Sequence, residues 1–237
     1  MTVPPGIPAV LADGELELLG LLPRSSNYAF LARAMLGEEE MLAVYKPRRG
    51  ENPLWDFPEG TLCNREAAAF VIAQVLGWPN VPPTLLRGGP EGEGAVQRFI
   101  PFEPTEHAFT LQQRFPSEFR RLALFDVVVN NADRKSGHCL LGRDGRLFVV
   151  DHGTCFSEEP KLRTVLWDYV DEPIAAGDLD DLGDLRAGVD AGATRNQLDA
   201  LLSPGEVSAV IARLDGLLAD GRFPQPGPGR PYPWPIV

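Results

Sequence analysis

Apolar positions gather in three short runs early in the chain, Glu15 to Leu22, Tyr28 to Leu36 and Met41 to Pro47. Turn-forming stretches separate them, which predicts an antiparallel meander of three strands. The first turn, Pro23-Arg24-Ser25-Ser26-Asn27, carries small polar side chains that leave backbone N–H groups free to face a ligand. Arg65 to Leu76 then reads as a strong helix, stopped by Gly77. Pro82 to Leu86 and Ala95 to Ile100 read as two further strands, with Gly88 to Gly94 as the connecting turn.

The texture changes at Pro101-Phe102-Glu103-Pro104. From Ser117 to Asn131 the apolar residues Phe119, Leu122, Leu124, Phe125 and Val128 predict one long helix with an inward face. Cys139–Leu141 and Leu147–Val150 flank Gly142-Arg143-Asp144-Gly145, a hairpin signal. Asp178 to Gly188 and Glu206 to Ala219 predict two further helices, followed by a proline-rich, extended stretch from Phe223 to Val237. The expected organisation is α+β with two parts: residues 1–100, an antiparallel sheet with one helix, and residues 101–237, mainly helical and carrying the hairpin.

Composition narrows the partners. The chain has 22 Lys and Arg against 33 Asp and Glu, a formal charge of -11. That sign repels polyanions, so nucleic acid is not expected as a partner, and docking on an anionic membrane is disfavoured. No apolar run approaches the roughly 20 residues needed to span a bilayer, and Met1 to Ala12 lack the features of a signal peptide. A cytoplasmic protein with no obligate protein partner is therefore expected. Cys63, Cys139 and Cys155 match no metal-binding spacing and are expected to be buried, reduced thiols.

The chemistry concentrates in Asn130-Asn131-Ala132-Asp133-Arg134-Lys135-Ser136-Gly137-His138, followed after the hairpin by Val150-Asp151-His152-Gly153. Phosphoryl transfer requires a hydroxyl nucleophile to be oriented and metal ions to be held against phosphates. Protein-kinase-type enzymes meet these needs with an Asp on a catalytic loop and an Asp preceding Gly beyond a hairpin. Asp133 suits the first role and Asp151 the second.

In these residues the chain resembles the phosphatidylinositol 3- and 4-kinase-like superfamily, especially type II phosphatidylinositol 4-kinases and HipA-like kinases, over about Leu19 to Pro173. The N-x-D-R catalytic loop of that group stands here as Asn131-Ala132-Asp133-Arg134, and its D-x-G element as Asp151-His152-Gly153. The resemblance implies a two-lobed kinase-like fold, ATP as the nucleotide, Mg2+ or Mn2+, and a hydroxyl acceptor whose identity the sequence does not give. It further implies Asp133 and Arg134 as catalytic residues, Lys46 as the phosphate-contacting lysine and Glu66 as its ion-pair partner. Ser25, Ser26 and Asn27 would form the phosphate loop, Gln97 and Phe99 the adenine hinge, and Asp151 with His138 the metal site. His138 departs from the pattern, since an Asn usually stands there, and an imidazole suits Mg2+ poorly. Three readings follow: a kinase acting on a soluble small molecule or protein, a HipA-like protein Ser/Thr kinase, and a nucleotide-binding pseudokinase that serves as an interaction module. Leu54 to Gly60, a segment that includes Trp55, is a candidate lid.

Overall fold

Alternation of side chains along the early strands produces one buried face. Ala32, Ala34, Ala43, Tyr45, Leu85 and Val96 pack together with Val10 and Leu11 of a short helix, α1 (Ala9–Asp13). In this computed structural model, which describes residues 5–23 and 27–237, the strands are β1 (Glu15–Leu21), β2 (Phe30–Leu36), β3 (Glu39–Pro47), β4 (Thr84–Gly89) and β5 (Gly92–Arg98). They form an antiparallel sheet in the order β1-β2-β3-β5-β4. Because side chains alternate, Lys46 lies on the opposite face from Tyr45, level with Ala95 of the neighbouring strand. Gly94 makes this pairing possible: a Cβ there would sit 2.4 Å from the Lys46 carbonyl oxygen.

The expected long turn at Gly88 to Gly94 is a correction. Both strands run on to a two-residue turn, Pro90-Glu91. The glycines make room for an aromatic ring rather than ending the strands, since a Cβ on Gly89 would meet the Tyr45 ring at 2.8 Å.

Helix α2 (Leu62–Leu76) lies beside β4 and β5 and is buried on nearly every side. That explains its all-round apolar, alanine-rich sequence. Its first N–H groups are satisfied by Glu51, whose two carboxylate oxygens accept from Leu62 N at 3.1 Å and Cys63 N at 2.8 Å. Gly77 ends it in the left-handed conformation.

The remaining helices are α3 (Ala108–Leu111), α4 (Pro116–Val129), α5 (Ala176–Asp190), α6 (Ala193–Asp199) and α7 (Pro204–Asp220). Strands β6 (Cys139–Leu141) and β7 (Leu147–Val149) form the expected hairpin. The helices α1, α3 and α6 were not anticipated, because each is too short to show a periodic stripe. The core of this part includes α2 together with α4, α5 and α7, so α2 joins the sheet to the helices. No helix among the described residues is long and apolar enough to cross a membrane.

Candidate functional site

Helix α4 ends on Asn130, which takes a left-handed backbone conformation and releases the chain into the loop that carries Asp133. Asn130 itself is buried: its Nδ2 donates to the carbonyls of Ser157 and Glu159, and its Oδ1 accepts from Lys161 N. Asn131 Oδ1 then accepts from Asp133 N at 2.9 Å, which fixes the turn.

Beneath the loop lies a fully buried network. Asp126 of α4 accepts from Arg134 Nε and Nη2 at 3.0–3.1 Å, from Asn131 Nδ2 at 3.1 Å and from Thr164 Oγ1 at 3.1 Å. Arg134 spends its other donors on the Val150 carbonyl and on His152 Nε2. The guanidinium is 0% exposed, so it touches nothing in the cleft. Sequence placed Arg134 among the catalytic residues; the structure makes it a positioning residue that ties the Asp133 loop to the segment holding Asp151. Burial is the largest single influence and opposes its charge, but the opposing influences, led by the Asp126 carboxylate through its charge and hydrogen bonds, leave its pKa raised. His152 accepts at Nε2, and burial together with Arg134 keeps it neutral.

The cleft gathers the second group. Lys46 Nζ donates to Glu66 Oε1 and, at 3.2 Å, to Asp151 Oδ1. Thus β3, α2 and the segment after β7 converge on one amine. Burial works against the charge on Lys46, yet the Asp151 and Glu66 carboxylates together raise its pKa. Lys46 in turn holds Asp151 well below the usual carboxylate range. Asp151 keeps 52% of its side chain open to the cleft, so solvent screens this pair. Its backbone takes φ of 64°, a left-handed conformation unusual for a residue with a side chain.

Asp133 carries its own cation: Lys135 Nζ is 2.8 Å from Asp133 Oδ2. Burial raises the Asp133 pKa, Lys135 opposes the rise, and the Asp151 charge adds to it. That last influence places the two acids within electrostatic reach of one another.

His138 Nε2 stands 3.3 Å from Asp151 Oδ2, while its Nδ1 accepts from Lys135 N at 3.4 Å. An Nδ1 acceptor assigns the proton to Nε2, so His138 turns an N–H, not a lone pair, toward Asp151. Burial pulls its pKa down to about 4, leaving it neutral at pH 7. In this tautomer the ring offers no lone pair toward Asp151. Among the described residues no cluster of three or more His, Cys, Asp or Glu is arranged to hold a metal ion.

The adenine-hinge candidates separate. Gln97 lies on the same face of the sheet as Lys46, buried, with Nε2 donating to Thr84 Oγ1 at 2.8 Å. Phe99 is half-buried beyond the end of β5, its N–H donating to the Leu42 carbonyl. Ser25 and Ser26 lie outside the described residues. Asn27 is described, and its Oδ1 accepts from Asn52 N at 2.8 Å, joining the first turn to the residues just before the lid segment.

That lid segment is held down. Phe57 packs on Leu62 and on Ala132, next to Asp133. Lys161 Nζ donates to the Asp56 carbonyl at 2.7 Å, pairs with Asp56 Oδ2 at 3.3 Å, and lies over the Phe57 ring. Trp55, by contrast, is 93% exposed.

Sequence reasoning missed Arg65. It is 1% exposed and bonds to Glu206 of α7, to the Cys155 carbonyl just beyond Asp151-His152-Gly153, and to Thr61 Oγ1. It also stacks over Phe57. Arg65 therefore fixes α2, and with it Glu66, against both the metal-motif segment and α7. Its neighbour Glu66 was the available signal, but Glu206 lies 141 positions away, beyond any local pattern.

Known proteins share these features. The family model described as Phosphatidylinositol 3- and 4-kinase matches residues 87–177, which span the Asp133 loop and the Asp151 segment. Protein Rv2133c of Mycobacterium tuberculosis is 38% identical, the match covering 96% of this chain and 94% of that protein. Phosphatidylinositol 4-kinase gamma 4 of Oryza sativa subsp. japonica is 30% identical over 47% of this chain and 23% of that protein. Among solved structures, a Helicobacter pylori proinflammatory kinase, CtkA, superposes with a TM-score of 0.53 and 14% identity, covering 89% of this chain and 94% of that one. The last is a likeness of fold.

Proposed function

Since the chain belongs to the phosphatidylinositol 3- and 4-kinase-like superfamily, in one family with Protein Rv2133c, we propose that it is an ATP-dependent kinase that phosphorylates a hydroxyl on a soluble small molecule or protein. The observation that carries this reading is the convergence of Glu66 and Asp151 on Lys46. Lys46 would bind phosphate oxygens, oriented by Glu66, itself anchored through Arg65. Asp133 uses Oδ2 for Lys135, leaving Oδ1 to accept the hydroxyl proton. The acceptor oxygen then bonds to the γ-phosphorus as its bond to the bridging oxygen breaks, and ADP leaves.

The donor set fits a divalent ion only in part. Asp151 is a hard oxygen ligand suited to Mg2+ or Mn2+, and the remaining positions would fall to phosphates and water. Such an ion supplies neutralisation of phosphate charge. His138 stands beside Asp151 with its Nε2–H turned toward that carboxylate, so in the tautomer its contacts select it offers no lone pair for ligation there.

That same feature favours a second reading, a nucleotide-binding pseudokinase. ATP consumption measured with Mg2+ and with Mn2+, alongside Asp133→Ala and Asp151→Asn, separates the two. The kinase reading expects metal-dependent ADP release or autophosphorylation that both variants lose. ATP binding without turnover in any acceptor pool would establish the binding module. A HipA-like protein Ser/Thr kinase shares every residue above, and an acceptor screen distinguishes it.

A further inference from the structure

Most arginines of this acidic chain are neutralised by a carboxylate. Among the described residues those with no carboxylate in ion-pair range are Arg87, Arg98, Arg163, Arg213, Arg222 and Arg230. Arg163, Arg213 and Arg230 line one groove of about 710 Å³, enclosed by α4, α7, residues 158–163 and the proline-rich stretch 224–231.

The three differ in how they are held. Arg213 donates Nε to the Val128 carbonyl at 2.8 Å and Nη1 to the Ser157 carbonyl at 3.3 Å, while its Nη2 has no partner. Its charge thus meets only neutral acceptors, and burial pulls its pKa down to about 10. Arg163 makes no side-chain hydrogen bond, and Arg230 lies over the Trp234 ring, 5.0 Å from its centroid. The groove has one carboxylate, Glu158, which accepts from Ser203 Oγ at 3.3 Å. Lys161, Asn130 and Gln225 also line it, and Val127, Leu162, Trp167 and Pro224 form its apolar wall.

Three guanidiniums without a carboxylate in ion-pair range line this one groove, and their planar bidentate donors match phosphate oxygens. The volume is that of a small-molecule site. We propose that the groove between α7 and the proline-rich stretch binds a soluble phosphate ester with an apolar body, its phosphate on Arg163, Arg213 and Arg230 and its body against Leu162 and Trp167.

This site would communicate with the catalytic loop. Arg163 N donates to the Asn131 carbonyl and Arg134 N donates to the Arg163 carbonyl, both at 2.9 Å, so the backbone at Arg163 brackets Asp133. The proposal concerns binding and stands whether or not the cleft performs phosphoryl transfer.

The test uses 1-naphthyl phosphate as the probe, with titration calorimetry on the full chain at matched ionic strength. Lys46→Met serves as the background, since it removes the phosphate-facing amine of the cleft. Saturable binding is expected there, about tenfold tighter than inorganic phosphate because of the apolar walls. Adding Arg163→Gln and Arg230→Gln, which break no hydrogen bond or ion pair, is expected to weaken binding about tenfold or more. The proposal is overturned by absence of saturable binding in the Lys46→Met background, by an affinity unchanged when both arginines are replaced, or by equal affinity for the naphthyl and inorganic phosphates.

Discussion

Two charged networks lie within a few residues of each other, and they are built on opposite terms. Around Asp126 and Arg134 the carboxylate and the guanidinium spend their hydrogen bonds on buried partners, and both side chains are 0% exposed. Around Lys46 and Asp151 the charges face a cleft, Asp151 is half open to solvent, and Asp133 keeps one oxygen free. The first arrangement holds the loop in place and has nothing left to offer a ligand. The second is held in place by the first and retains unspent charge, which is the condition for binding phosphate. Charge alone does not mark a site; unsatisfied, accessible charge on a fixed frame does.

The largest effect should come from breaking the buried network. Arg134→Leu leaves the Asp126 carboxylate buried without its cation, and denaturant unfolding should show a loss of about 3–5 kcal/mol or failure to fold. Asp126→Asn should fall on the same scale. If either variant were as stable as the wild type, the network would not be the frame described.

A smaller effect is expected between the two networks. Arg65→Met separates α2 from α7 and leaves Glu206 half-satisfied; a loss of about 2–3 kcal/mol is expected. ATP turnover measured under conditions where the variant remains folded should also fall, through KM for ATP, because Glu66 no longer holds Lys46. Unchanged KM would sever Arg65 from the site.

The Lys135 contact sharpens the comparison further. Asp133 must be ionised to accept a proton, and burial raises its pKa while Lys135 lowers it. Activity should therefore decline on the acid side at a higher pH than an ordinary carboxylate would give. Lys135→Met removes the lowering influence, so the acid limb of the pH–rate profile should move to still higher pH. A shift to lower pH would contradict the pairing. The smallest effect is expected at Trp55, whose exposed ring contributes little to folding: Trp55→Ser should change stability by no more than about 0.5 kcal/mol.

How much of this was visible in the sequence depends on range. The strand meander, α2, α4, α7 and the hairpin follow from apolar spacing and from Gly77 and Gly145, all local signals. Asp133, Asp151, Lys46 and Glu66 stood out because a motif and its order survive without coordinates. The glycines at 88–94 misled, since a glycine that admits the Tyr45 ring reads the same as one that turns the chain. Arg65 and Lys161 act through partners more than a hundred positions away, and nothing near them in sequence marks those partners. His138 was read as a metal ligand with Asp151 and lies 3.3 Å from it, but its tautomer depends on the backbone N–H of Lys135, which only the folded loop supplies.

The contrast between frame and site comes down to Asp133, which belongs to the site while standing next to Arg134 of the frame. The most direct test measures both properties in one variant, Asp133→Asn: unfolding free energy by denaturant, and ADP release with Mg2+ or Mn2+. Stability should stay within about 1 kcal/mol of the wild type, while turnover drops by about 10²-fold or more. Wild-type ADP release by a folded Asp133→Asn protein would contradict the assignment, as would a loss of activity that merely tracks unfolding.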